Sequence, residues 1–402
     1  MQPIRSIMLA LVAGVVIPAP HMGAQQTYPD FALQPPPINT NPGPEYAAWT
    51  RVQQGVSGIE RTGYGRLWAT WSVGAHGHPA GYVVLLTSRD NGRTWSEPTL
   101  VIDPPGNVSA GDSALWRDPL GRLWLFWTQM YGGDGRFGVW ALVSENPDAE
   151  SSAWFPPRRI ADGKALNKPT VLSTGEWLLT VAVPVGACSV PEMNTTYRLG
   201  LTPSVIKSLC HDLGDRKGTS VYRSVDQGKT WAWLGQARIP DVCCEHMIVE
   251  RRDRSLWMLA RTFYGIGQSV STDGGKTWGQ SEPSGIRHPV TRFFLRRLQS
   301  GRVLLVRHNP PEQLLRSHLT AYLSDDDGRS WTGGLLLDER NGVSYPDGVE
   351  AANGTIYIVY DRGRNTDREI LMATFTEADV MQTTCVTAVC RLRTIVNRAG
   401  EQ

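Results

Sequence analysis

Four copies of one octet decide the fold of this 402-residue chain. They lie at residues 88–95 (SRDNGRTW), 224–231 (SVDQGKTW), 271–278 (STDGGKTW) and 324–331 (SDDDGRSW). The aspartate of each copy can accept backbone N–H groups, the glycine can adopt a positive φ, and the tryptophan can pack between neighbouring strands. The octets therefore predict a series of structural hairpin turns. A degenerate fifth copy lies at residues 144–154.

A second repeat, a turn followed by an apolar strand, sets the number of units. It occurs at Gly65 (GRLWATW), Gly121 (GRLWLFW), Gly175 (GEWLLTV), Arg254 (RSLWMLA), Gly301 (GRVLLVR) and Gly354 (GTIYIVY). Six units of about four strands each predict an all-β, six-bladed β-propeller.

The spacing of these units also predicts two irregularities. The longest interval is expected to hold an insertion at about residues 185–218. The last unit is expected to end near Val380, one strand short, with residues 47–54 supplying the missing strand and closing the ring.

Composition and charge agree with a β-rich globular protein. The chain has 41 Gly, 27 Pro and 15 Trp, which favour short strands and tight turns. Forty Lys and Arg residues against 38 Asp and Glu leave a formal net charge of +2, and there is no basic run. This balance argues against a nucleic-acid partner or another polyanion.

The N-terminus has the pattern of a secretory signal peptide. Arg5 precedes an apolar run at residues 7–17, and small residues follow up to Ala24, after which cleavage is expected. An apolar run of this length is too short to span a bilayer, and no later stretch approaches the roughly 20 residues required. We expect residues 25–402 to form a single propeller domain that is secreted or periplasmic, with no membrane span.

Export makes the six cysteines candidates for disulfides. Local spacing favours the pairs Cys188–Cys210 and Cys385–Cys390, and the adjacent residues 243–244 are either a vicinal disulfide or two buried thiols. No pair of cysteines or histidines has the spacing of a zinc site. We expect no metal and no cofactor.

Residues at one repeat offset should meet on the propeller axis, where the innermost strands converge. Nine residues before the turn positions lie Val56, Asp112, Leu166, Glu245, Arg292 and Tyr345. Four of the six are polar, and buried polar groups need partners or a wet cavity. The offset therefore predicts either a functional site or a buried polar network on the axis.

These repeats and axial residues resemble the BNR-repeat sialidases (neuraminidases), six-bladed propellers that carry such aspartate boxes, and the chain looks like a divergent member. Sialidases use a tyrosine nucleophile, a glutamate that takes its proton, three arginines that bind the substrate carboxylate, and an aspartate acid/base. The resemblance implies that Tyr345 is the nucleophile and Glu245 its partner. It also implies that Arg261 and Arg316 are the second and third arginines.

The chemistry of the substrate explains this choice of residue types. A sugar with a carboxylate at its anomeric carbon would repel an anionic nucleophile, whereas a phenol approaches it uncharged. Arginines bind carboxylates through charge-assisted, often bidentate hydrogen bonds.

The sequence departs from the family pattern at two positions. The offset of the first arginine corresponds to Gly55, and the loop at residues 72–81 offers His76 and His78 in place of the acid/base aspartate. His76, His78 and Asp112 are therefore the candidates for proton transfer. The alternative for Asp112 is a buried structural pair with Lys168. The remaining candidates for substrate binding are Lys168, His246, Arg292 and His308.

The sequence thus predicts an exported, sialidase-like glycoside hydrolase whose partner is a terminal, carboxylated sugar such as sialic acid. Two alternatives stay open: a propeller polysaccharide lyase that acts on uronate-containing glycans, and a non-catalytic carbohydrate-binding propeller. Because an arginine and the usual acid are missing, we expect weak or no action on ordinary sialosides.

Overall fold

The computed structural model describes residues 33–75, 78–106, 108–131, 138–183, 216–311 and 315–400. Within these residues the strands form six antiparallel sheets, each of which is one blade of a β-propeller. The predicted fold class is therefore confirmed. The described helices are short: α1 at Glu377–Met381 and two 3₁₀ turns at Pro44–Tyr46 and Ala48–Thr50. Among the described residues, no helix is both long and apolar enough to cross a membrane.

The first three blades hold strands β1 to β13. Blade 1 contains β1 (Ile38–Asn39), β2 (Arg51–Arg61), β3 (Leu67–Ala75), β4 (His78–Ser88) and β5 (Leu100–Ile102). Blade 2 contains β6 (Val108–Arg117), β7 (Leu123–Tyr131), β8 (Gly138–Ser144) and β9 (Arg158–Asp162). Blade 3 contains β10 (Thr170–Val171), β11 (Trp177–Val183), β12 (Gly218–Ser224) and β13 (Ala232–Ala237).

The last three blades hold strands β14 to β25. Blade 4 contains β14 (Val242–Glu250), β15 (Leu256–Thr262), β16 (Gly265–Ser271) and β17 (Glu282–Pro283). Blade 5 contains β18 (Phe294–Arg297), β19 (Val303–His308), β20 (Leu319–Ser324) and β21 (Thr332–Asp338). Blade 6 contains β22 (Val343–Glu350), β23 (Ile356–Arg362), β24 (Glu369–Phe375) and β25 (Arg391–Arg398).

The hydrophobic core lies between the blades. Six clusters of buried side chains each combine residues of two neighbouring blades, including blades 6 and 1. In the cluster that joins those two blades, Trp71 and Tyr82 pack with Val359 and Met372. Apolar burial on both faces of every blade therefore closes the ring.

The octets form the turns between the third and fourth strands of their blades, as predicted. In the second octet, one carboxylate oxygen of Asp226 accepts the backbone N–H of Thr230 at 2.9 Å, and the other accepts the Thr230 hydroxyl at 2.6 Å. The Ser224 hydroxyl accepts the N–H of Gly228 at 2.8 Å.

The octet tryptophans pack between blades rather than within one. Trp95, Trp231, Trp278 and Trp331 each join the cluster between their own blade and the preceding one. Trp154 of the degenerate copy does the same between blades 1 and 2. The octet thus couples a tight turn to the packing of neighbouring blades.

The predicted closure of the ring is wrong. Blade 6 has its own fourth strand, β25, which pairs with β24 after the chain passes through α1. Residues 47–54 instead form a 3₁₀ turn and the start of β2, the innermost strand of blade 1. The short strand β1 adds a fifth strand outside β5.

Backbone hydrogen bonds join the ends of the ring. The N–H of Gly400 donates to the carbonyl of Ala48 at 2.9 Å, and the N–H of Gln54 donates to the carbonyl of Arg364 at 3.2 Å. The sequence of β25, RLRTIVNR, lacks the turn and the apolar run of the repeat, so the repeat does not indicate this strand.

The Cys385–Cys390 disulfide is present, as predicted. Cys188 and Cys210 lie outside the described residues, as does most of the predicted insertion at residues 185–218. The structure does not describe the side chains of residues 243–244 either, so both alternatives for this pair stay predictions.

Replacing Gly328 by alanine should destabilise the fold more than the same change at Gly274. Both glycines lie in octets with positive φ, of 87° and 75°. A Cβ at Gly328 would lie 2.3 Å from the Trp257 ring, whereas nothing lies within 4 Å of one at Gly274. We expect Gly274→Ala to cost about 1–2 kcal/mol for the left-handed backbone. Gly328→Ala should cost about 1–3 kcal/mol more for overpacking. Urea unfolding measures the free energy of unfolding of both variants. An equal loss of this free energy in the two variants would show that the contact between Gly328 and Trp257 does not matter for stability.

Candidate active site

The candidate site lies where the N-terminal halves of the innermost strands open at one mouth of the axis. In blades 2 to 6 the first strand is the innermost one, and in blade 1 the innermost strand is β2. These innermost strands run in the same direction. Tyr345 of β22 packs against Val56 of β2 and Leu166, which precedes β10. The expectation that residues at the common offset meet is therefore confirmed for these three.

Arg261 connects the two residues that the sequence pairs. It lies near the end of β15, and its Nη1 donates to both carboxylate oxygens of Glu245, at 2.9 and 3.0 Å. The same nitrogen donates to the hydroxyl of Tyr345 at 2.8 Å. Glu245 is only 2% exposed, and Arg261 and Tyr345 are each 8% exposed. One guanidinium thus holds a buried carboxylate and a buried phenol together.

A β-bulge directs Tyr345 toward the axis. The pairing of β22 with β23 shifts register between Ser344 and Asp347, and Tyr345 adopts a φ of 53°. Val56 and Asp112 have the same backbone, with φ of 60° and 51°, next to register shifts in blades 1 and 2. Bulges re-aim side chains, and positive φ at a bulky residue costs on the order of 1–3 kcal/mol, which the surrounding packing must offset.

The Tyr345 phenol is neutral in the free protein. Burial, followed by the negative charge of Glu245, raises the pKa of Tyr345 well above its usual value, although Arg261 and Arg364 oppose this shift. The Tyr345 hydroxyl also hydrogen-bonds Glu245. The geometry therefore allows the phenol proton to pass to Glu245, while Arg261 donates to the phenol oxygen.

Arg364 is not among the site residues that the sequence predicts, yet it lies against Tyr345. Its guanidinium is 4.1 Å from the centre of the Tyr345 ring and makes two 3.0 Å hydrogen bonds to the carboxylate of Asp361. A Cβ at Gly55 would lie 2.6 Å from the Arg364 Nε. The Arg364 side chain thus occupies the space in front of the residue where the family pattern places its first arginine.

A positional signal could have identified Arg364. It follows the second strand of blade 6 by two residues, and Arg261 lies near the end of the second strand of blade 4. The ends of second strands reach the same mouth of the axis, so an Arg at this point in any blade is a candidate.

Arg316 completes a set of three guanidinium groups around Tyr345. It donates to the Ser344 hydroxyl and to the Val290 carbonyl, both at 3.2 Å, and its guanidinium is 5.9 Å from the Tyr345 ring centre. Burial, with repulsion from Arg364 and Arg261, lowers the pKa of Arg316. We call Tyr345, Glu245, Arg261, Arg316 and Arg364 the axial site.

Asp112 lies near this site, but its partner differs from the expected one. Its carboxylate is 3.2 Å from the Nζ of Lys164, not of Lys168. The backbone N–H of Asp112 donates to the Ser72 hydroxyl at 2.9 Å, and its negative charge acts on Arg364. Its role as an acid stays a prediction.

The ammonium group of Lys168 is buried and contacts carboxylates and backbone carbonyls of the protein itself. Its Nζ lies 3.1 Å from an Asp347 carboxylate oxygen and 3.3 Å from one of Glu60. It also donates to the carbonyl of Leu115 at 2.6 Å and to that of Ile59. Buried cations need such partners. These contacts give no support to a role in substrate binding.

Arg292 belongs to the same buried network. Its Nη2 lies 3.2 Å from the second carboxylate oxygen of Asp347, and its Nε donates to the side chain of Asn167 at 2.8 Å. Arg292 is 1% exposed. The polar residues of the axis therefore comprise both the axial site and a structural network.

The two candidate histidines of the described chain are buried as well. His246 lies 2.9 Å from the carbonyl of Ser220 through its Nε2. The Nε2 of His308 donates to the carbonyl of Val343 at 2.9 Å, and its Nδ1 lies 3.3 Å from the Nε2 of His288. Burial lowers the pKa of His308 to about 4. A role of either in substrate binding stays a prediction without geometric support.

The structure does not describe the side chains of the two histidines predicted in the loop at residues 72–81. His76 lies outside the described residues, and the side chain of His78 is not described either. Within the described part of the chain, no group of three or more His, Cys, Asp and Glu side chains is arranged to hold a metal ion.

The fold and the repeats define the class of protein, a six-bladed propeller with an arginine-rich axial site. Residues 65–358 match the BNR repeat-like domain, so the chain belongs to that family. No curated protein matches the chain in sequence.

Solved structures of similar fold are distant in sequence. A Hadza microbial sialidase is 18% identical, with a TM-score of 0.59, over 78% of this chain and 64% of that one. A leech intramolecular trans-sialidase, complexed with 2,7-anhydro-Neu5Ac, is 13% identical, with a TM-score of 0.62, over 85% and 70%. An α-L-arabinanase from Penicillium chrysogenum, complexed with arabinobiose, is 14% identical, with a TM-score of 0.55, over 87% and 98%. These similarities establish a shared fold.

Acidification should destabilise the protein through His308. Its folded-state pKa of about 4 lies below the ordinary 6.5, so between these values the unfolded chain binds a proton that the folded chain does not. Stability is therefore lost as the pH falls through this window, by about 2 kcal/mol between pH 7.5 and pH 5. Chemical denaturation at both pH values should show a smaller loss for His308→Gln. The same loss in the variant would contradict the assignment.

Proposed function

We propose that the protein is a glycoside hydrolase that acts on terminal, carboxylated sugars such as sialic acid. The observation that carries this proposal is the contact of Arg261 with both Glu245 and Tyr345 in a buried site. A carboxylate, a phenol and a shared cation provide a base, a nucleophile and a charge that stabilises both.

The arginines supply the preference for an anionic sugar. Arg261 and Arg364 are paired with Glu245 and Asp361, whereas Arg316 has no carboxylate partner among the described residues. The lowered pKa of Arg316 reflects burial beside two other cations. A substrate carboxylate at this point would offset that repulsion and bind through charge-assisted hydrogen bonds.

The proposed reaction begins when the Tyr345 oxygen attacks the anomeric carbon. The glycosidic C–O bond breaks as the new bond forms, and the phenol proton passes to Glu245. Arg261 stabilises the developing phenolate. The leaving oxygen takes a proton from an acid, for which Asp112 and His76 are the candidates, and water then releases the sugar from Tyr345.

The comparisons support this proposal at the level of fold. Two of the similar structures are sialidases by name, and one is an arabinanase. The three arginines at Tyr345 favour an acidic sugar over a neutral one.

Removal of the nucleophile or of its base should abolish turnover while leaving the fold intact. Tyr345→Phe keeps the ring that packs on Arg364 and should lower kcat about 10⁴-fold. Glu245→Gln should lower kcat about 10²–10⁴-fold, because the amide cannot accept the phenol proton. Hydrolysis of aryl glycosides of sialic acid and of other carboxylated sugars, using the one that the wild type turns over fastest, measures both. Thermal unfolding is the check on folding.

The same assay separates the alternatives. Wild-type activity that survives Tyr345→Phe would overturn the nucleophile assignment. A product absorbing in the ultraviolet from a uronate-containing polysaccharide, without sialoside hydrolysis, would indicate a lyase. Binding of acidic glycans without turnover of either substrate would indicate a carbohydrate-binding propeller.

Arg316→Gln and Arg364→Gln should weaken recognition of the substrate carboxylate. Loss of one charge-assisted hydrogen bond is worth about 1.5–3 kcal/mol, so KM for a carboxylated aryl glycoside should rise roughly 10- to 150-fold. Arg93→Gln, a change at an exposed octet arginine, is the control and should leave KM unchanged. If the axial variants alter only kcat, the two arginines do not bind the substrate carboxylate.

A further inference from the structure

The opposite mouth of the axis contains two adjoining cavities. Their volumes are about 420 and 450 Å³, and Arg296 and Arg297, at the end of β18, line both. Glu350, at the end of β22, also lines the larger one. At about 3.3 Å per residue, it lies roughly 16 Å along the strand from Tyr345. These cavities are therefore separate from the axial site.

Their walls are strongly cationic, although the whole chain carries a formal net charge of only +2. Eight cationic side chains line the two cavities, against three carboxylates. The cations are Arg61, Arg117, Lys168, Arg251, Arg252, Arg254, Arg296 and Arg297, and the carboxylates are Glu60, Glu250 and Glu350. Cations thus outnumber carboxylates among the residues that line these two cavities.

The carboxylates of the larger cavity accept hydrogen bonds from other groups. The Glu60 carboxylate accepts hydrogen bonds from the backbone N–H groups of Arg61 and Arg117, at 2.9 and 3.1 Å. It also forms an ion pair with Lys168. Glu350 accepts the backbone N–H of Gln299 at 2.7 Å. Neither carboxylate forms an ion pair with a guanidinium of this cavity among the described residues.

Three guanidinium groups of the larger cavity consequently form no direct ion pair. Within the described chain, no carboxylate pairs with Arg61, Arg117 or Arg296, although the negative charges of Glu60 and Asp347 act on Arg296 from a greater distance. The side chain of Arg296 is recessed, and its one hydrogen bond goes to the carbonyl of Pro169 at 3.2 Å. The Nε of Arg61 is buried and has no hydrogen-bond partner. Recessed cations without a partner are unfavourable, and an anion supplied from solution would relieve this cost.

We propose that the larger cavity binds a small molecule carrying two or more oxyanion groups. Arg296 reaches the ligand from the floor and Arg61 and Arg117 from the rim. A cavity of about 450 Å³ admits a molecule of the size of citrate or tripolyphosphate. Planar guanidinium groups bind carboxylate, phosphate and sulfate through the same paired N–H donors. The site is independent of the axial site and of the reaction proposed for it.

Isothermal titration calorimetry of the full-length wild-type protein tests this site. Citrate and tripolyphosphate are the probes, at constant ionic strength set with sodium chloride, and sulfate is a third arm. We expect saturable binding of at least one multivalent probe with a Kd below about 1 mM. The order of the three affinities identifies the preferred oxyanion.

Matched variants locate the binding. Arg296→Gln should weaken it at least about 10-fold, and Arg117→Gln several-fold. Arg117 is exposed, so its variant remains informative if Arg296→Gln fails to fold. Arg93→Gln and Arg316→Gln should bind like the wild type.

Three results would overturn the proposal. One is the absence of saturable binding of every probe up to about 10 mM. Another is unchanged affinity in the Arg117 and Arg296 variants. The third is loss of affinity in Arg316→Gln alone, which would place the anion at the axial site. Only the third outcome concerns the axial site, and none of the three measures sialoside hydrolysis, so this proposal and the proposed function can fail separately.

Discussion

Each blade of this protein can bury its two faces only against its neighbours, and every other feature depends on that constraint. Six clusters of apolar side chains lie between blades, and the octet tryptophans complete five of them from the outer turns, counting Trp154 of the degenerate copy. Because packing between blades carries the stability, the axis itself need not be apolar. The ring therefore leaves its centre available for polar residues.

The polar residues along the axis form three layers. At one mouth, three arginines surround Tyr345 and its carboxylate partner. In the middle, Lys168 and Arg292 are neutralised by Asp347 and its neighbours, which holds the inner strands together. At the other mouth, guanidinium groups outnumber the carboxylates that could pair with them. Structural ion pairs thus separate two groups of guanidinium side chains, one at each mouth of the axis.

How far the site could be predicted depended on where each residue lies relative to the repeat. Tyr345 and Glu245 occupy a fixed offset in their blades, so the repeat alone indicated that they share the axis. Arg364 lies in a loop beyond the repeat, and its position over Gly55 depends on the contact between the last and first blades. The pairing of Asp112 with Lys164 likewise joins two blades, and sequence spacing does not specify such contacts.

The amino-acid sequence by itself determined the fold class, the number of blades, the turns and the short disulfide. These follow from local chemistry: a glycine that permits positive φ, an aspartate that accepts backbone N–H groups, and strands of regular length. The tertiary structure decided how the ring closes, which cations are neutralised internally and which face the two mouths. Those outcomes depend on distances between residues remote in sequence, and only packing of the blades around one axis sets these distances.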